Sequence, residues 1–524
     1  MGDPEWPALK NFDLLPGPFY MGTTQLNPDL KAASPYTRGI QIIPEVCGYG
    51  FFLMSKNRGP MRYKNALCVY PYKYELKTVG FLPPIGLEYI ASAIEDAVDR
   101  VTVIDLRYER KPLSTFIDQD THLVLISYNW DVEKEFVRNT INSIPEGVTV
   151  LVGGRHATEY VNELMEEIPR IDAIARGDGE GLVREFIRKG ISPEIAGLSF
   201  RENGKIVHNR NRLLEPTPTD FFPNRKLRRY KYMVSVEGFT SDVQIDLMMG
   251  SRGCPYNCKF CDFKFNPLGE KRKWSVRTPE SVLAEIQTIE ADVIGFADDI
   301  FTADMDWVER LCDLIIQHKI NKKFAINARL EIAKRPNVLK KMYQAGFMAF
   351  LMGIESAQDK TLASMKKGFN TKKVREYFAV LRHFNFIYHC YFIIGNIGET
   401  RDEIMEIVPF AHELGVDTLG LSILRATKYS PLKTMLKDFE DYHIEESSGK
   451  VYSNILTLDE LQQLRRDVNA SFFTLPVIMR DLKKLILHRM LTFNRLYKII
   501  LFTIRKKIRK MRKKRALPPR HVTA

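Results

Sequence analysis

Short apolar runs alternate with amphipathic stretches along most of the chain, and the alternation comes in two series. In the first, runs at 66–70 (ALCVY), 101–105, 122–127, 148–154 and 171–176 are separated by stretches of helical length. The stretch 83–94 opens on two prolines and repeats apolar positions at helical spacing, which predicts a Pro-initiated amphipathic helix. The fifth run leads into a glycine-rich turn, GDGEG at 177–181, and another helix. Such a series predicts a doubly wound parallel sheet, with ligands at the carboxyl ends of its strands. The second series has runs at 293–296, 324–327, 349–353, 391–395 and 418–422, with a first strand expected just ahead of 248. It predicts a partial (β/α)6 barrel of the TIM type, whose functional groups cluster at the C-terminal strand ends. The fold class is therefore α/β.

Around these series the chain divides into an irregular extension (1–60), the doubly wound domain (61–195), a linker with a hairpin (196–243), the barrel (244–435) and a helical C-terminal region (436–524). The hairpin is read from alternation across 199–207 with Asn203-Gly204 at its turn, and the linker from the Pro-rich 215–223. With 524 residues, 45% hydrophobic and 27% charged, the composition is that of an ordinary globular protein of two or three domains. No leader pattern opens the chain, and no run reaches the ~18–20 apolar residues of a membrane-spanning helix.

Charge changes the picture at one end. The net charge is +13, yet 480–520 alone holds sixteen Lys/Arg and one acid, +15, which leaves −2 for the remainder. Ile486, Met490, Phe493, Tyr497, Ile500, Ile504 and Ile508 recur at steps of three and four, predicting one apolar stripe on a basic helix. One reading packs the first half on the barrel and leaves a solvated charge run. The other makes 480–515 a peripheral membrane-surface helix. Nucleic acid is the least favoured partner, since no recognition fold or aromatic platform accompanies the charge.

Seven cysteines exclude a disulfide framework and suit a reducing cytoplasm, with the inner face of the membrane as the alternative location. Cys47, Cys68, Cys312 and Cys390 are scattered in apolar surroundings and are expected to be buried as small hydrophobes. The other three stand together in CPYNCKFC at 254–261. Cys254, Cys258 and Cys261 could hold three irons of a [4Fe–4S] cube and leave the fourth open to a ligand. Zinc is the chemical alternative, but structural zinc takes four ligands, commonly as two separated pairs, and no second pair exists.

The CxxxCxΦC spacing, with Phe260 before the last cysteine, resembles the radical S-adenosylmethionine (SAM) superfamily. So do ADDIFT at 297–302, GIES at 353–356, MKKG at 365–368 and GNIGET at 395–400, all in the expected strand contexts. The resemblance covers roughly 245–435. It implies a cluster on the three cysteines and SAM held near Asp298, Asp299, Glu355, Ser356, Gly395 and Gly398. The N-terminal series resembles the cobalamin-binding domain found ahead of many such barrels, through PPIGLEYI at 83–90, GGRHAT at 153–158 and GDGE at 177–180. That implies cobalamin near Gly153, Gly154, His156 and Gly177. The D-x-H-x-x-G signature that supplies a cobalt-binding histidine is absent; Asp120-Thr121-His122 is the nearest approximation. Two readings follow: cobalamin binds without a protein imidazole, with His156 a polar turn residue beside it, or the domain is a relic that holds no corrin; the first is favoured.

The resemblance implies a cobalamin-dependent radical C-methylation of an unactivated carbon in a small-molecule or lipid-like substrate. Flavodoxin or ferredoxin is the implied electron donor. Radical cyclisation or rearrangement is the alternative. A tRNA methylthiotransferase would carry three more cysteines ahead of the barrel, where only Cys47 and Cys68 stand. A non-catalytic scaffold would not need the intact motifs. ILRATKYSP at 423–431 departs from the family's P-x-P-G-T element, so the substrate is not legible there.

Overall fold

A computed structural model of the chain describes residues 62–73, 82–218, 221–236, 239–261, 265–446, 448–499 and 501–502. The expected irregular extension 1–60 and Cys47 lie outside them, as does the basic run from 503 onward.

The first sheet contains β1 (Asn65–Tyr70), β2 (Arg100–Asp105), β3 (Thr121–Ser127), β4 (Thr149–Gly153), β5 (Ala173–Ala175), β6 (Leu198–Glu202) and β7 (Lys205–His208), in the order β2-β1-β3-β4-β5-β6-β7. The first five are parallel, and their near-continuous burial explains why they read as apolar runs rather than alternating ones. Cys68 lies wholly buried within β1. The hairpin expected in the linker instead extends this sheet, with β6 antiparallel to β5 and Leu198 and Phe200 in the same core. Its two-residue turn needs positive φ at both positions, and Asn203 (51°) and Gly204 (77°) supply it. The N-terminal unit therefore runs to about residue 208, not 195.

The second sheet is built from β8 (Met233–Val236), β9 (Phe239–Met248), β12 (Val293–Phe296), β13 (Lys323–Ala328), β14 (Phe347–Glu355), β15 (Ile387–Ile394) and β16 (Thr418–Ile423). Between β9 and β12, the short β10 (Ser251–Arg252) and β11 (Ser275–Val276) form a small pair of their own. The large sheet has the order β16-β15-β14-β13-β12-β9-β8, with six parallel strands and β8 antiparallel at the edge. This is the predicted partial barrel with one added strand. Its main core lies between strands and outer helices and takes in Cys312 and Cys390.

After the barrel, β17 (Tyr442–Ile444) and β18 (Val451–Ser453) form a hairpin. The helix Leu458–Phe472 follows, started by a capping box between Thr457 and Glu460, and it packs Leu461, Leu464, Val468 and Phe472 on the barrel. The next helix, Leu475–Leu487, stops where Arg489 takes φ +61°. The single stripe predicted from Ile486 onward is thus broken. Met490 turns inward to the barrel base, while Phe493 is 94% exposed; Ile500, Ile504 and Ile508 lie outside the described residues.

The linker does more than connect. Arg228 grips Glu88, in the helix Ile85–Ile94, at 2.5 and 2.6 Å and Asp246 of β9 at 2.7 Å. Arg225 joins Asp246 to Glu285. Burial raises the pKa of Glu88, and the Arg228 guanidinium opposes that rise. Removing one partner from such a buried set costs about 3–5 kcal/mol, because it strands the opposite charge. These arginines fix how the two sheets face each other.

Candidate active site between the two sheets

The cysteine loop leaves the end of β9 and is held by the paired acids after β12. Asp298 is buried; its carboxylate accepts the Gly250 N–H at 2.8 Å and the Ser251 hydroxyl at 2.5 Å, and burial pushes its pKa up to about 7. Asp299 accepts the Gly253 N–H at 3.0 Å. Gly253 has φ +82°, and a Cβ there would come within 2.9 Å of the Lys273 carbonyl, so glycine is required just before Cys254. The sequence places both acids near SAM; the structure engages both with the backbone of the loop that carries the thiols.

On the loop itself, Cys258 is buried, and Cys254 and Cys261 are partly so. Burial raises the pKa of the Cys254 thiol, while the Tyr256 backbone and nearby Arg329 pull the other way. Arg329 lies 3.8 Å over the Tyr256 ring and donates to the Lys367 carbonyl at 2.9 Å. The Lys259 N–H donates to the Met365 carbonyl at 3.0 Å, so the MKKG turn clamps the loop from the side. Among the described residues, no three His, Cys, Asp or Glu side chains converge as a ready-made metal group. The donor chemistry nevertheless fits a three-cysteine cluster: three thiols share one loop, with Arg329 near enough to offset thiolate charge. Metal would deprotonate them on binding.

At the end of β14, Glu355 takes φ +76°, strained for a non-glycine residue, and its carboxylate meets Lys367 at 2.9 Å with both side chains buried. Ser356 is buried, and its hydroxyl accepts the Gln358 N–H at 3.1 Å. Gly395 and Gly398 both have positive φ, but a Cβ on Gly395 would meet Leu461, and the Gly398 N–H donates to the Tyr442 hydroxyl at 2.7 Å. Gly395 thus faces a protein neighbour, while the space beside Gly398 is open. Sequence reasoning passed over Glu399 within the same motif. One of its oxygens accepts the Gly395 and Asn396 N–H groups at 2.8 and 3.0 Å, and burial raises its pKa to about 7. A carboxylate directly after the turn glycine Gly398 was the available signal.

An open cleft of ≈ 1270 Å³ lies between the carboxyl ends of the two sheets, with the segment 433–452 forming part of its lining. Asn129 and Asp131 after β3, and Arg155 and His156 after β4, form one wall; Phe260 of the cysteine loop and Arg425 beyond β16 are on the other. Its size exceeds the roughly 300–1,000 Å³ of a common small-molecule site. That volume, at the carboxyl ends of a doubly wound sheet, fits a corrin macrocycle. His156 is buried between Tyr128 and Tyr160, with ring centroids 4.7 and 4.8 Å away and Nε2 3.7 Å from Asp131. Burial lowers its pKa. Gly153 and Gly154 shape the wall from behind: a Cβ on Gly154 would come within 2.7 Å of Asn129 Oδ1 and 2.8 Å of the Tyr128 carbonyl. Gly177 does not line the cavity. It faces Leu268 across the seam, where Glu180 pairs with Arg252 and Asp178 with Arg272. His122 sits at the other end of the strands from the cavity, at the start of β3, accepting the Lys64 N–H at 3.2 Å.

Three thiols at the mouth of a partial barrel, under a doubly wound sheet with a shared cavity, define a two-domain iron–sulfur enzyme. Comparison with known proteins gives that class its family. Residues 248–411 match the radical SAM superfamily and residues 76–187 the B12 binding domain. An uncharacterized methyltransferase of Pyrococcus horikoshii is 27% identical over 427 residues, covering 76% of this chain and 90% of that protein. The anaerobic magnesium-protoporphyrin IX monomethyl ester cyclase of Cereibacter sphaeroides is 26% identical over 389 residues, covering 68% of this chain and 61% of that one. In fold, the chain is similar to the radical SAM methyltransferase TsrM of Kitasatospora setae, with a TM-score of 0.60 at 16% identity, covering 78% of this chain and 88% of TsrM. The chain thus carries a radical SAM domain with a B12-binding domain ahead of it. It is an enzyme whose cofactors are a [4Fe–4S] cluster, SAM and cobalamin, and whose chemistry draws on an external reductant.

Proposed function

We propose that the protein is a cobalamin-dependent radical SAM methylase acting on an unactivated carbon of a small-molecule or lipid-like substrate. The shared cavity carries this reading, because Phe260 of the cysteine loop and residues at the carboxyl ends of the B12-binding sheet line one space. When bound, the cluster and SAM supply a 5′-deoxyadenosyl radical, and cobalamin supplies a methyl group for the carbon that radical opens. Cys254, Cys258 and Cys261 would hold the cluster, while Asp298 and Asp299 keep their loop in place. Glu355 and Ser356 would receive SAM beside Lys367, and the Gly395–Gly398 turn, fixed by Glu399, would shape the space around it. Gly153, Gly154 and His156 would form the floor under the corrin, with Gly177 on the seam. Flavodoxin or ferredoxin would deliver the electron.

The methyltransferase relative supports methylation, and the cyclase relative supports radical cyclisation as the second reading. Anaerobic reconstitution with iron, sulfide, SAM, hydroxocobalamin and a reductant separates them. Methylation requires bound corrin and formation of both 5′-deoxyadenosine and S-adenosylhomocysteine. 5′-Deoxyadenosine alone supports the cyclase-type reaction, and protein that retains no corrin overturns the methylase.

A further inference from the structure

The helix Leu475–Leu487 is mounted with its charged side inward. Arg480 Nε donates to Asp417 Oδ1 at 3.0 Å and Lys484 Nζ to Asp417 Oδ2 at 2.6 Å. Just beyond the helix, His488 Nε2 meets the Asn385 carbonyl at 2.7 Å. Asp417 is fully buried, so these contacts set the rotation of the helix. The opposite side carries Leu475, Ile478, Met479, Leu482 and Ile486, spaced i, i+3, i+4, i+7 and i+11. Leu475 is 71% exposed, Met479 58% and Ile486 56%. Past the break at Arg489, Phe493 and Tyr497 are exposed as well. Eight of the fourteen large exposed hydrophobic residues among the described residues fall between Phe473 and Tyr497, so this is a patch and not scatter.

The charge beside the patch selects its occupant. Residues 503–524 add ten Lys/Arg and no acid. That segment is too polar to cover the stripe itself, and a second copy seated here would bring two such segments together. An anionic phospholipid surface satisfies both features at once: its headgroup boundary takes an apolar helix face, and its phosphates attract the adjoining cations. We infer that this face docks on an anionic phospholipid membrane, with the Leu475–Ile486 stripe at the acyl boundary and the charge of the basic sequence that follows supplying attraction to the lipid phosphates. No helix among the described residues is long and apolar enough to cross a membrane, so the contact is peripheral.

Vesicle flotation of the full chain tests this. Vesicles of phosphatidylcholine with phosphatidylglycerol should carry up at least about fivefold more protein than phosphatidylcholine alone, and high salt should abolish the difference. The exposed double substitution Met479→Asp/Ile486→Asp should cut flotation by about the same factor while 5′-deoxyadenosine formation stays unchanged, which shows that the variant is folded. Lys506→Glu/Lys507→Glu/Lys510→Glu should reduce it to the phosphatidylcholine level. Equal flotation with both vesicles, or flotation indifferent to the double substitution, overturns the proposal. A lipid-free dimer that the double substitution converts to monomer overturns it too, in favour of a second copy on this face.

Discussion

The two sheets bring different means to one cavity. The N-terminal sheet offers a backbone turn shaped by Gly153 and Gly154, and a histidine held between two tyrosines. The barrel offers a thiol loop tied down by Asp298 and Asp299, an acid–lysine pair at Glu355 and Lys367, and a turn fixed by Glu399. One side is suited to hold a large, flat ligand by shape; the other to hold charged and metallic groups by specific donors. Shape is carried by glycines and rings that many sequences share, whereas donors must stand at fixed spacings.

Substitutions on either side should therefore separate cleanly. Cys258→Ala should reduce 5′-deoxyadenosine formation to background while retained cobalamin stays near wild type, measured on the same anaerobic preparation; loss of both would mean that the two sites are not independent. Gly154→Ala should do the reverse. The collision with Asn129 and the Tyr128 carbonyl, at φ +106°, costs about 1–3 kcal/mol, so corrin retained after gel filtration should fall roughly tenfold while 5′-deoxyadenosine formation persists.

Glu399 makes a smaller difference, visible in pH. Its folded-state pKa, about 7, is above the ordinary glutamate value, so the folded form keeps its proton longer than the unfolded chain does. Its contribution to stability is full below about pH 4.5 and is lost as pH rises through about 7. Glu399→Gln keeps an oxygen for the Gly395 and Asn396 N–H groups and removes the charge. The variant should lose less stability than wild type between pH 5 and 8, by at most about 3 kcal/mol in chemical unfolding. An unchanged slope would show that the carboxyl is ionised throughout. Least affected should be His156→Phe, which keeps the tilted ring contacts with Tyr128 and Tyr160; corrin content should stay within about twofold. A larger loss would place the imidazole in contact with the corrin.

Most of the fold was legible because parallel strands buried on both faces read as apolar runs, and because the cysteine spacing tolerates few interpretations. The hairpin at 198–208 was misplaced since its alternation suits an edge extension as well as a free-standing ribbon. The duties of Asp298 and Asp299 were hidden for another reason: acids at a strand end read alike whether they face a ligand or a neighbouring backbone. Arg228 and Glu88 meet across 140 residues of sequence, a pairing that no local pattern contains. The C-terminal stripe showed its apolar period but not its rotation, which depends on Asp417 in another element.

That rotation carries a consequence for traffic. Asp417 marks the base of β16, and Ser422 to Arg425 at its far end border the cavity, about 20 Å away for a six-residue strand. An enzyme moored through its base would ride on the bilayer like a hull on its keel, with the hatch facing up. Its cargo would have to be loaded from the water side, so even a lipid-like substrate would need to leave the bilayer before it reached the radical.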